Sequence, residues 1–264
     1  MECMDEEGAP DRLELLREVI AQTCALVAPR HCPCGREGAW LCRSCAALLR
    51  ADPQRVEACC DALQELTAAR VREEERDGVL LPAGVDHTPL LPVLALGEYG
   101  GDLQRLILAW KNGGMLHLGT RIAPALAPAV AHLAGTAPVH LVPVPSQRSA
   151  RLRRGEDHTA ELVRAMERRG IGRALLLGAR PTTAQDGQGA RQRRTRQILL
   201  SGRGARIARR AAHPVVIVDD VVTTGSTLRG MHEALTAAGM SVLGAVVVAS
   251  ARLPADGGTS PARK

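Results

Sequence analysis

Aromatic residues are almost missing from this 264-residue chain, which has no Phe, one Tyr and two Trp. That scarcity argues against a stacking platform for single-stranded nucleic acid. The core must instead be built from Leu, Val, Ile and Ala, within a hydrophobic content of 45%. Lysine is nearly missing too, occurring only at Lys111 and Lys264, so arginine carries the net charge of +6. A cation excess suits a phosphate-rich partner but says nothing of fold. No apolar run reaches the length of a membrane span. The stretch 122–145 is interrupted by His132, His140 and several prolines, and no membrane insertion is expected. The opening MECMDEEGAPDRLELL has no apolar core of a signal peptide. Eight Cys without a secretion signal point to reduced thiols or metal rather than a disulfide framework, and to a cytoplasmic location. The chain also has no Gly-x4-Gly-Lys-Ser/Thr, which excludes a P-loop nucleotide hydrolase.

Periodicity predicts a helix over 11–28, with Leu13, Leu16, Val19, Ile20 and Leu26 on one face. A Cys-rich segment follows over 31–45. The stretch 52–77 reads as a charged helix with Val56, Leu63, Leu66 and Val71 as its apolar stripe, and 78–92 as a region including a Gly/Pro-rich linker. From there strands and helices alternate. Strands are expected over 92–99, 139–144, 174–177, 214–218 and 242–249; helices over 103–110, 116–133, 156–169 and 227–238. Pro124 and Pro128 must sit at a start or kink of the second helix. The Arg-rich stretch 180–210 carries no clear period. This order predicts an α/β fold with a mostly parallel sheet. Four parts are expected: 1–50, a helix and zinc-ribbon-like module; 51–90, a helical insertion and linker; 91–252, the α/β domain; and 253–264, a Gly/Pro/Ser-rich disordered tail.

The densest chemistry lies at Val215-Val216-Ile217-Val218-Asp219-Asp220-Val221-Val222-Thr223-Thr224-Gly225-Ser226-Thr227. An apolar run makes a strand buried on both faces. Two carboxylates stand at its C-terminal end, where open α/β sheets bind ligands. A loop of small hydroxyl residues then opens a helix whose backbone N–H groups form an anion site. Carboxylates beside that anion site suit hydroxyl donors such as those of ribose.

These thirteen residues resemble the 5-phosphoribosyl 1-pyrophosphate (PRPP) binding motif of type I phosphoribosyltransferases. The resemblance implies that Asp219 and Asp220 bind the ribose and that Val222, Thr223, Thr224, Gly225, Ser226 and Thr227 bind the 5′-phosphate. Further pieces, in order, resemble the competence protein F family: the Cys-rich segment, Tyr99 through Lys111 to Gly114, Leu141-Val142-Pro143-Val144-Pro145, and Arg153-Arg154-Gly155. Pro145, Ser146, Arg148, Arg153, Arg154 and Lys111 are thereby candidates for the pyrophosphate end, with Mg²⁺ bridging the ligand. Lys111 fits a second role equally well, that of a cation at a helix C-terminus. After Arg-Gly this chain departs from the family's Phe-Asn-Gln, reading Glu156-Asp157-His158. Farther on, Arg180-x-Thr182-x-x-Gln185 fits, but Arg193-Arg194-Thr195-Arg196 does not. No residue is singled out as catalytic. The resemblance also implies a link to DNA uptake. On that reading the Arg-rich stretch 191–210 would meet the phosphates of single-stranded DNA, where it is otherwise a solvated face.

Cys32-Pro33-Cys34-Gly35 and Cys42-Arg43-Ser44-Cys45 supply two thiol pairs, the pattern of a tetrahedral structural Zn²⁺ site. The first pair has a one-residue gap. His31, three before Cys34, restores the usual gap and competes with Cys32 as the fourth ligand. Cys59 and Cys60 read as ordinary thiols.

Overall fold

The computed structural model describes residues 31–76, 78–112, 114–115, 117–145, 157–181 and 197–254. The helix expected over 11–28 and the tail from 255 onward lie outside them.

The first helix, α1 (Arg43–Leu48), is capped by Cys42, whose sulfur accepts the Cys45 N–H. A short strand, β1 (Gln54–Arg55), is followed by two single 3-10 turns, Glu57–Cys59 and Asp61–Leu63. The chain then makes a long hairpin, β2 (Gln64–Arg76) against β3 (Val79–Pro89), with Arg76 opposite Val79. Here the structure corrects the helix expected over 52–77 and the linker after it. Ala, Arg and Glu favour a helix locally, yet Asp77-Gly78 is a strong two-residue hairpin signal, and Gly78 stands at φ +78 where the chain reverses. Of the expected stripe, Val56 and Leu63 are fully buried, but just before the first 3-10 turn and at the end of the second rather than along one α-helix.

Beyond the hairpin the elements follow the expected alternation. They are β4 (Val93–Ala95), α2 (Gly101–Asn112), α3 (Leu118–Ala125), α4 (Ala127–Ala134), β5 (His140–Pro143) and α5 (His158–Arg168). Next come β6 (Arg173–Ala174), β7 (Ala179–Pro181), β8 (Ile198–Leu200) and α6 (Gly202–Ala208). The last three are β9 (Val215–Val222), α7 (Ser226–Ala237) and β10 (Val242–Ser250). Pro128 falls in the first turn of α4, where its missing N–H costs nothing, and Pro124 in the last turn of α3. The strand expected over 174–177 shrinks to Arg173–Ala174, and the one expected to end at Val218 continues to Val222.

The central sheet has the order β1-β4-β10-β9-β5-β6, parallel throughout except for β1. Strand alternation divides the core into two layers. Val216, Val218, Val246 and Val248 face Leu106, Ile107, Trp110, Ile122 and Leu162 of the helices on one side. Ile217, Ala245, Val247 and Val142 face Leu228, Met231 and Leu235 of α7 on the other. Cys32, Cys42, Cys45 and Leu49 join the first layer, so the Cys-rich segment shares the core of the sheet's helices. The result is a three-layer α/β arrangement in which the buried centre of β9 delivers Asp219 and Asp220 to its C-terminal edge.

Candidate functional site

At that edge β9 gives way to the loop Thr223-Thr224-Gly225, and α7 begins at Ser226. Thr223 and Thr224 are exposed, and Thr224 Oγ1 lies 3.3 Å from Ser226 Oγ and 3.4 Å from Ser226 N. Gly225 takes the position before the helix with φ +80, a conformation that side chains rarely adopt. Its missing Cβ matters for a second reason: an added one would lie 2.7 Å from Leu63 Cγ and 3.0 Å from Cys60 Cβ. The tight approach at Gly225 is therefore to the 3-10 turns. Ala62 N–H donates to Thr224 O at 2.9 Å, and Arg229 Nη1 of α7 donates to Ala62 O at 3.0 Å, fastening the turns to the loop. Val222 is part of the core, and its carbonyl accepts the Ala251 N–H, so its side chain is not offered to a ligand.

The two carboxylates differ sharply. Asp219 is half-buried, and its Oδ1 accepts the Asp220 N–H at 2.9 Å. Asp220 is 7% exposed, and its Oδ2 meets Lys111 Nζ at 2.6 Å and His158 Nε2 at 2.5 Å. Its Oδ1 accepts the Val221 N–H at 2.6 Å. Burial alone would raise the Asp220 carboxyl. The hydrogen bond from His158 and the positive charge of Lys111 outweigh burial and hold the group below the ordinary carboxylate range. Lys111 comes from the last turn of α2 and His158 from the first residue of α5. Asp157 caps α5, its Oδ1 accepting the Ala160 N–H at 3.3 Å, which fixes where His158 emerges. The Trp110 ring stands edge-on to the His158 ring, 4.9 Å between centroids.

The structure thus brings Lys111, Asp219, Asp220 and the loop to one end of the sheet. Pro143 pairs with Val218, so Pro145 leaves β5 at that same end. Lys111 stands in the last turn of α2, as one of its expected roles requires, and is also the counter-ion of Asp220. Sequence reasoning missed His158. The available signal was the Asp157-His158 pair at a helix start, where the chain departs from the family pattern. Ser146, Arg148, Arg153 and Arg154 lie outside the described residues, as do Thr182, Gln185 and 191–196. Of the Arg-rich stretch, Arg203, Arg206, Arg209 and Arg210 are exposed on α6 and just after it.

The four cysteines form a second constellation. The sulfurs of Cys32, Cys34, Cys42 and Cys45 all lie within 4.8 Å of one another, and Cys34 Sγ is 3.7 Å from Cys42 Sγ. A tetrahedron with Zn–S bonds of about 2.3 Å has an S–S edge of about 3.8 Å, so the donor set fits such a metal. His31 is exposed and outside the group; Cys32 supplies the fourth sulfur. The N–H of Cys42 donates to Cys32 Sγ at 3.3 Å. Donation from Cys45 N–H lowers the Cys42 thiol to about 6, while burial pushes the Cys45 thiol well above its ordinary value. Cys60 behaves as an ordinary buried thiol, pushed up to about 12 chiefly by burial.

Residues 161–259 match the family model of the phosphoribosyl transferase domain. The match runs from α5 through β9, its loop and α7, and supports a type I phosphoribosyltransferase domain. No curated protein matches the chain. Among the described residues, no helix is long and apolar enough to cross a membrane.

Proposed function

We propose that the chain binds Mg-PRPP at the C-terminal end of β9 and transfers or recognises its 5-phosphoribosyl group. The observation that carries this reading is the run Asp219-Asp220-loop-α7, within the span matched by the phosphoribosyl transferase model. The 5′-phosphate would take the N–H groups at the start of α7 and the hydroxyls of Thr223, Thr224, Ser226 and Thr227. Asp219, the more accessible carboxylate, would accept the ribose hydroxyls. Asp220 would act from behind it: committed to Lys111 and His158, it holds the strand end rigid and sets where Lys111 stands. Mg²⁺ would arrive with the pyrophosphate and offset its charge as it leaves. What the protein supplies is positioning and electrostatic stabilisation of positive charge at the ribose C1′, more than a strong base.

We assign the four thiolates one structural Zn²⁺, because a closed all-sulfur set leaves no position for a substrate. Calorimetric titration with PRPP and Mg²⁺ tests the main reading, followed by a screen of bases for pyrophosphate release. Saturable binding that Asp219→Asn weakens is expected. Absence of binding by a folded sample at millimolar PRPP would sink it.

A further inference from the structure

At the opposite end of the sheet three neighbouring strands begin side by side. Arg173 opens β6, His140 opens β5 directly opposite it, and His213-Pro214 leads into β9. Their side chains line an open concavity of about 470 Å³, flanked by Leu175, by Ile207 of α6 and Arg210 just after it, and by Glu167 near the end of α5. That volume lies within the range of small-molecule sites. No motif or family match assigns anything to this end, and the phosphoribosyl site lies at the other edge of the same strands.

Three features make the concavity a recognition site rather than a gap. The His140 Nδ1 is buried with no hydrogen-bond partner, a state that protein interiors avoid. The His140 and His213 rings stand 5.4 Å apart, tilted at 44°. Arg173 and Arg210 are exposed, and neither has an ion-pair partner among the described residues. Glu167 sits at the rim with its Oε1 accepting the Ala174 N–H at 3.0 Å, which ties the carboxylate to β6 but leaves its one negative charge set against the two guanidinium groups. Burial first, then His213, lowers His140, so the imidazole is disposed to be neutral until an anion arrives. The C-terminal ends of α5 and α6 also point here. Each contributes roughly half a negative charge, screened near the surface, against a full charge on each guanidinium. Leu175 and Ile207 add an apolar wall.

We propose that this concavity binds a phosphate monoester of nucleotide size, its phosphate held by Arg173, Arg210 and the His140–His213 pair and its organic part against Leu175 and Ile207. Planar guanidinium groups suit a phosphate's paired oxygens. The apolar wall distinguishes an organic phosphate from the free ion. The site does not depend on the phosphoribosyl reading.

The test follows the imidazole resonances of His140 and His213 by NMR during titration of the full chain with AMP, and separately with inorganic phosphate. AMP is expected to shift both resonances saturably, and inorganic phosphate to bind about tenfold more weakly. The surface double variant Arg173→Gln/Arg210→Gln should weaken AMP at least about tenfold, while Asp219→Asn should leave these shifts unchanged. Unmoved resonances, shifts that persist in the arginine variant, or equal affinity for inorganic phosphate would each overturn the assignment. Loss of the shifts in Asp219→Asn would instead locate AMP at the other edge of the sheet and overturn it as well.

Discussion

The cysteine knuckle and the Asp220 cluster both gather acidic groups into an apolar core, and they neutralise them in opposite ways. Cys32, Cys42 and Cys45 are buried against the helices of the central sheet and, with zinc assigned to them, would take their cation from outside the chain. Asp220 is met by Lys111 and His158, cations or donors that the chain itself brings from two other elements. The first arrangement is local, closed within one short stretch of sequence, and on the zinc assignment would depend on metal supply. The second depends on the whole helical layer being in place. One should therefore respond to chelators and the other to acid and to tertiary disruption.

The largest effect is expected at the knuckle. Zinc analysis of reduced protein should find one metal per chain, and Cys45→Ser should lose it. Structural zinc contributes about 10 kcal/mol or more in small isolated modules; in this shared core, chelation should lower the melting temperature sharply. A metal-free sample with unchanged melting would break the contrast. Next comes Asp220→Asn, which removes the buried counter-charge facing Lys111 and His158 and should cost about 4 kcal/mol of stability by denaturant titration. If Lys111→Met on that background restores part of the loss, the pairing is the cause.

Gly225→Val should cost about 3 kcal/mol, through its positive φ and the collision with Leu63 and Cys60, as well as abolishing PRPP binding. Gly225→Ala, with the same φ but a smaller group, separates the two contributions. Acid titration sharpens the comparison further. A carboxylate held below its ordinary range contributes stability in full above a pH of about 4, and loses it as pH falls towards the lowered value. The acid limb of the unfolding curve should flatten in Asp220→Asn, and zinc release should follow its own pH course. The smallest effect is Thr224→Ala: one hydroxyl among several donors, about 1 kcal/mol in PRPP affinity by calorimetry.

What was legible in the sequence follows the same division between local and distant. Val215 to Thr227 could be read as strand, acids, loop and helix because every piece is contiguous and its period is strong. The cysteine set could be read as a metal site, though the choice between His31 and Cys32 needed the turn that buries one and exposes the other. The hairpin was not read: its helical propensity is local, whereas its strand pairing is decided by Asp77-Gly78 and by partners across the turn. His158 stayed invisible because its role is set by a contact 62 residues away. Lys111 stood out only as a compositional exception, and its partner could not be inferred from that.

The fastening of Ala62 to Thr224 and Arg229 has a mechanical consequence. β2 has 13 residues, and at about 3.4 Å per residue the hairpin is an arm some tens of ångströms long. Its root is bonded to the loop before α7, and the pairing register shifts between Glu65 and Arg70, so the arm joins the loop through an irregular base. Arg229 and Ala62 lie 167 residues apart in the chain, yet their exchange with solvent should rise and fall together. Whatever grips the arm would strain or steady the loop, and whatever occupies the loop would stiffen the arm.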